Sequence, residues 1–90
     1  MATKEYPHAS FLTNISGIPK HWFVHKNTNV NKPKKDEPVH FINAKDNYHD
    51  LVITDGLTGV YHVIYNGEGL EVFDKYNQAL SYAKNYMRTH

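Results

Sequence analysis

The chain contains no cysteine, one tryptophan, four prolines and five glycines in 90 residues, and its formal net charge is only +1. The missing cysteines exclude a disulfide framework, a thiolate nucleophile and a cysteine zinc site, a composition that suits a reducing cytosol. No apolar run approaches the length of a membrane span. The start, "MATKEYPHASFLTNISG", also lacks a basic segment followed by an apolar stretch, so the expectation is a soluble, cytoplasmic protein. Asn14-Ile15-Ser16 then has no glycosylation context. There is no internal repeat and no long low-complexity tract. A length of 90 residues predicts a single domain over residues 1–90, with a small core, little room for a buried pocket and a narrow stability margin.

What is present argues for a folded chain. Hydrophobic residues make up 40% and charged residues 21%, with seven tyrosines and four phenylalanines, which is unlike a disordered segment. The near-zero net charge conceals a polarity: residues 1–45 carry seven lysines against three acids, and residues 46–90 carry three basic residues against six acids. From Lys20 to Lys35 there are five lysines and no acid. Any electrostatic footprint for an anion lies there, although a solvated lysine-rich loop has the same composition.

Pattern predicts the elements. Residues 1–18 read as an irregular or short helical segment, with Phe11, Leu12 and Ile15 forming a turn over a sheet edge. Pro19 biases Ile18 towards an extended backbone, and the aromatic and β-branched "HWFVHK" predicts a first strand over residues 20–26. "NTNVNKPKKDEP", residues 27–38, reads as a mobile basic loop. "VHFINA" and "HDLVIT" predict two further strands joined through "KDNY". Asp55-Gly56 predicts a tight hairpin turn into "VYHVIY", and "NGEG" turns that strand into "LEVF". From Asp74 the period changes: Tyr76, Ala79, Leu80, Ala83 and Met87 share one helical face, predicting a helix over 75–88 with Asp74 as its cap and Arg88 at its negative end. The expected fold class is α+β, a small antiparallel sheet of about five strands with the C-terminal helix packed on one face.

Catalytic and metal chemistry find little support in the residues. The seven histidines are the one compositional oddity. A helical pair four apart could share an ion, but on a strand His21 and His25 stand about 13 Å apart, and no His-x-His or His-Glu-x-x-His pairing occurs. His49 and Asp50 are adjacent on a strand and so point to opposite faces, which is wrong for a base and its orienter. Ser10, Ser16 and Ser81 lie in no glycine-framed nucleophile turn. The glycine pairs Gly56-Leu57-Thr58-Gly59 and Gly67-Glu68-Gly69 precede strands and have no phosphate-gripping lysine after them. No enzyme, no metal site and no cofactor is expected.

Binding remains. Tyr82 and Tyr86 lie one helical turn apart beside the core stripe, with Lys75 on the same side, and tyrosines of this kind are enriched at protein interfaces; they would equally well cover the sheet. One helix cannot cover both faces of a five-stranded sheet. The second face or an edge is therefore open to the N-terminal segment, a second copy or a foreign partner. The leading expectation is a non-enzymatic protein that docks on a protein partner, in general character like the inhibitor and accessory proteins of bacteria, phages and mobile elements, though no motif carries that likeness. The alternative is nucleic-acid binding through Lys26, Lys32, Lys34 and Lys35 with Trp22 nearby, and a third is metal-dependent activity through the histidines.

Overall fold

A computed structural model describes residues 11–90. Six strands pair in chain order, all antiparallel: β1 (Leu12–Asn14), β2 (Trp22–His25), β3 (Val39–Asn43), β4 (His49–Ile53), β5 (Tyr61–Tyr65) and β6 (Glu68–Phe73). One helix follows, α1 (Tyr76–Thr89). The class is α+β, with one strand more than the composition suggested. That strand is β1. Where a helical turn was expected, Leu12–Asn14 are extended, with Leu12 opposite His25 and Asn14 opposite Phe23. Three residues are too few to distinguish a period of 2 from one of 3.6, so pairing with the edge of β2 decides the conformation. The expected N-terminal segment lies outside the described residues as far as position 10.

Alternation along the strands builds the core. Trp22, Val24, Val39, Phe41, Leu51, Ile53 and Val63 share one face, and each is at most 3% exposed. The helix lies over β4, β5 and β6 and adds Ala79, Leu80, Ala83 and Met87 to the same cluster. Ile15, Ile18 and Val30, from the loops flanking β2, extend the cover. Burial of each large apolar side chain contributes roughly 1.5–3 kcal/mol before entropy is subtracted. Two hydrogen bonds fasten the helix ends to these loops: Tyr76 Oη donates to Val30 O at 2.6 Å, and Arg88 Nε donates to Gly17 O at 3.4 Å.

Two local expectations are corrected, and one irregularity is added. The hairpin expected at "NGEG" forms at Asn66-Gly67, with φ of 51° and 81° between the paired residues Tyr65 and Glu68, the left-handed geometry a two-residue hairpin needs, whereas the one expected at Asp55-Gly56 does not. At Asp55 the side chain accepts a hydrogen bond from Leu57 N at 3.1 Å, and Gly59 N donates to Gly56 O at 2.9 Å, so the chain makes a longer loop over residues 54–60. The helix cap is Lys75, extended at φ −133°, and no side-chain hydrogen bond caps the helix; Asp74 lies one residue too early. In β6 a bulge inserts Leu70, because Val63 pairs with Glu71 while Ile64 pairs with Gly69. The bulge lets both Leu70 and Phe73 pack on the core, a spacing of three that plain alternation forbids, and leaves Val72 48% exposed.

The basic loop is a chain of turns. Thr28 N donates to His25 O, Lys32 N to both Asn29 O and Asn29 Oδ1, and Glu37 N to Lys34 O. The bond from Tyr76 to Val30 pins the loop's middle to the first turn of α1.

Candidate functional site

Three surfaces compete for function. The first is the tyrosine flank of α1. Tyr82 and Tyr86 are half-buried and pack against the core. Tyr82 lies 5.6 Å from Phe73 between ring centroids. Tyr86 is enclosed by Trp22 at 6.5 Å and Tyr65 at 5.5 Å, with His90 stacked on it at 3.9 Å. Most of their area is therefore spent on cohesion within the chain. Lys75 is exposed at the N-terminal end of the helix, about 16 Å along the axis from Tyr86 at 1.5 Å per residue, so the three do not form one patch.

Around Tyr86 runs a polar seam. Tyr65 Oη donates to Asp46 Oδ2 at 2.5 Å, and His49 Nδ1 lies 3.5 Å from the same oxygen. The hydroxyl bond holds the Asp46 carboxyl below its ordinary range. Burial, and then the hydrogen bond to Asp46 and its charge, push the Tyr65 phenol well above its ordinary value, and burial also raises Tyr86. A phenol held protonated in this way is a hydrogen-bond donor and a poor nucleophile.

The histidines are spread over the sheet, with His25 in β2, His40 in β3, His49 in β4 and His62 in β5. His25 and His40 are exposed on the face away from the helix, and His40 Nδ1 donates to Asp50 Oδ2 at 3.0 Å. The acceptor is a carboxylate, so this ring nitrogen carries the proton. His21 lies just before β2, its ring 5.9 Å from that of Trp22. Among the described residues no three histidine or acidic side chains group to hold an ion. Ser16 and Ser81 are exposed, and among the described residues no hydrogen bond joins either to a histidine.

The second surface is the basic loop. Lys32, Lys34 and Lys35 line a cleft of about 250 Å³ closed by Thr54, Asp55, Tyr61 and Tyr76. Lys26 lies apart from it, beside a shallow groove along β1. Trp22, the aromatic expected to serve a nucleic acid, is 0% exposed, so neither face of its ring is open to a base; strand alternation turns it inward with Val24. The cleft's aromatic and acidic walls escape sequence reasoning, because Tyr61, Tyr76 and Asp55 come from elements remote in the chain.

The third surface is the sheet face opposite the helix. Leu12 and Ile42 on it are buried, and Phe23, Val52 and Ile64 are half-buried. Val52 pairs with Ile64, and Val72 pairs with His62, the next residue along β5 on the same face. Val52, Ile64 and Val72 therefore make a diagonal apolar stripe across three adjacent strands, in which Gly69 stands opposite Ile64 and His62 opposite Val72. Val52 and Ile64 floor a shallow groove rimmed by Tyr48, Asp50 and Asn66. The alternating pattern of β5 places Ile64 and His62 on this face from sequence; Val72 joins them only through pairing and the bulge.

The chain matches no protein-family model, no curated protein and no solved structure. No helix among the described residues is long and apolar enough to cross a membrane.

Proposed function

We propose that this is a non-enzymatic binding protein of the cytoplasm, acting as an inhibitor or accessory protein, that docks on a protein partner through the β4–β6 half of the open sheet face. The observation that carries the proposal is the stripe Val52, Ile64 and Val72, which no described element covers. A lone exposed valine is ordinary, but neighbouring apolar side chains on three strands with a polar rim have the anatomy of an interface core. The rim is supplied by the His40–Asp50 pair with Tyr48 and Asn66, while His62 interrupts the stripe opposite Val72. Tyr82 and Tyr86 move from the docking surface to the core's outer layer, since their rings already have partners within the chain.

The test compares crosslinked capture from a host lysate by the parent, by the double variant Val52→Lys/Val72→Lys and by Lys75→Ala. The sheet-face variant should lose a protein that the parent and the helix variant both hold, with circular dichroism confirming an unchanged fold. Identical capture by all three would remove the sheet face from consideration. Sedimentation velocity on the purified parent separates a foreign partner from a second copy of the chain, which the same face would accept.

A further inference from the structure

We infer that the cleft between the basic loop and the first turn of α1 binds a ribonucleotide, a site independent of the sheet face. The cleft joins three chemistries that a nucleotide needs and that no two neighbouring segments supply. Lys32, Lys34 and Lys35 line it from the loop, and among the described residues no lysine lies within ion-pair distance of a carboxylate. Their ammonium groups are compact charges suited to a phosphate, and their charge is not already neutralised by an internal pair.

The acids in the same cleft would count against a simple polyanion site. Glu37 and Asp55 both line it. Carboxylates beside a phosphate site fit a ligand that also carries vicinal hydroxyls, because an acidic side chain accepts hydrogen bonds from a ribose diol. Asp55 spends Oδ1 on Leu57 N, and among the described residues the Glu37 side chain makes no hydrogen bond, so acceptor capacity remains at both.

Tyr61 and Tyr76 provide the apolar wall. Their rings meet edge to face at 5.7 Å, and the Tyr76 hydroxyl is committed to Val30 O. Gly56 backs Tyr61 so closely that a Cβ there would come within 2.5 Å of the ring. The wall is thus held from two sides, and a base has π-surface to lie against. A volume of about 250 Å³ lies just under the roughly 300–1,000 Å³ usual for ligand sites, which limits the occupant to a single nucleotide.

The full chain, labelled with ¹⁵N and at low salt, would be titrated with AMP, with 2′-deoxy-AMP, with inorganic phosphate and with a short single-stranded RNA. AMP should give saturable shifts at residues 31–37, Asp55, Tyr61 and Tyr76. Lys32→Ala/Lys34→Ala/Lys35→Ala, all on exposed side chains, should weaken AMP by about tenfold or more, the scale of lost charge-assisted contacts. Asp55→Asn should reduce the preference for AMP over its deoxy form. RNA binding at the same residues more tightly than AMP identifies the source as a strand; equal affinity identifies a free nucleotide. The site is overturned by an absence of saturable shifts, by shifts elsewhere, by a triple-lysine variant that binds as the parent does, or by inorganic phosphate binding as tightly as AMP.

Discussion

Asp46, in the turn between β3 and β4, and Tyr65, at the end of β5, tie stability to pH. The hydroxyl of Tyr65 serves the ionised carboxylate of Asp46, so the folded chain keeps this group deprotonated to lower pH than the unfolded chain does. That contribution is complete above the ordinary aspartate range, near pH 4, and is lost as pH falls through the lowered value. Tyr65→Phe removes the bond. The gap in Tm between parent and variant should therefore be present at pH 6 and narrow towards pH 3; a gap that stays constant would show that the hydroxyl contributes nothing through Asp46. At the alkaline end burial pushes the Tyr76 phenol up to about 12, so its contribution is present below the ordinary tyrosine value near 10 and is lost as pH rises towards 12. Gly56 carries a different constraint. At φ +76° and against the Tyr61 ring, Gly56→Ala meets both backbone strain and a clash, and urea unfolding should show a loss of about 1–3 kcal/mol.

At the scale of elements, the helix was the most legible. Its five apolar positions at spacings of three and four specify a face, and four of them are buried as a stripe while Tyr76 is half-buried. Its start was less so, because Asp74 and Lys75 differ by one residue and only backbone geometry selects the cap. The vacancy is testable: Lys75→Asp places a short acceptor at the N-cap and a negative charge at the positive end of the helix. Thermal and urea unfolding should report a gain of about 0.5–2 kcal/mol. Strand β1 and the bulge in β6 were hidden for a shared reason. Both depend on what a neighbouring strand offers, and a bulge changes the parity of every later residue, so "LEVF" read alone assigns Leu70 to the wrong partners.

For the whole molecule, one core shared by a six-stranded sheet and a single helix leaves little redundancy. Leu51 is 0% exposed at the centre of the sheet, and Leu51→Ala should cost about 2–5 kcal/mol. Set against a total of roughly 5–15 kcal/mol for such a domain, that loss should lower the urea midpoint sharply, with an unchanged slope if unfolding stays two-state. The asymmetry of cover has a functional counterpart. Among the described residues one helix protects one face, and the opposite face keeps apolar side chains at its surface, which is where docking is proposed. The candidate surfaces were only partly legible: the lysines stood out as an acid-free run, whereas the cleft they line and the sheet stripe draw on residues from distant segments.

By itself the sequence determined the class of fold, the helix and its buried face, most of the strands and, in β2 and β5, which residues share a face, because periodicity records which side of an element avoids water. It also separated His21 from His25 by the rise of a strand. Tertiary structure alone decided which residues from different strands stand together. It turned Trp22 away from any base, occupied Tyr82 and Tyr86 with internal partners, set Tyr61 and Tyr76 across from Lys32 and Lys34, and aligned Val52, Ile64 and Val72. Proximity across strands depends on register, bulges and loop paths, and these are settled by pairing and packing between segments whose local patterns carry no mark of one another.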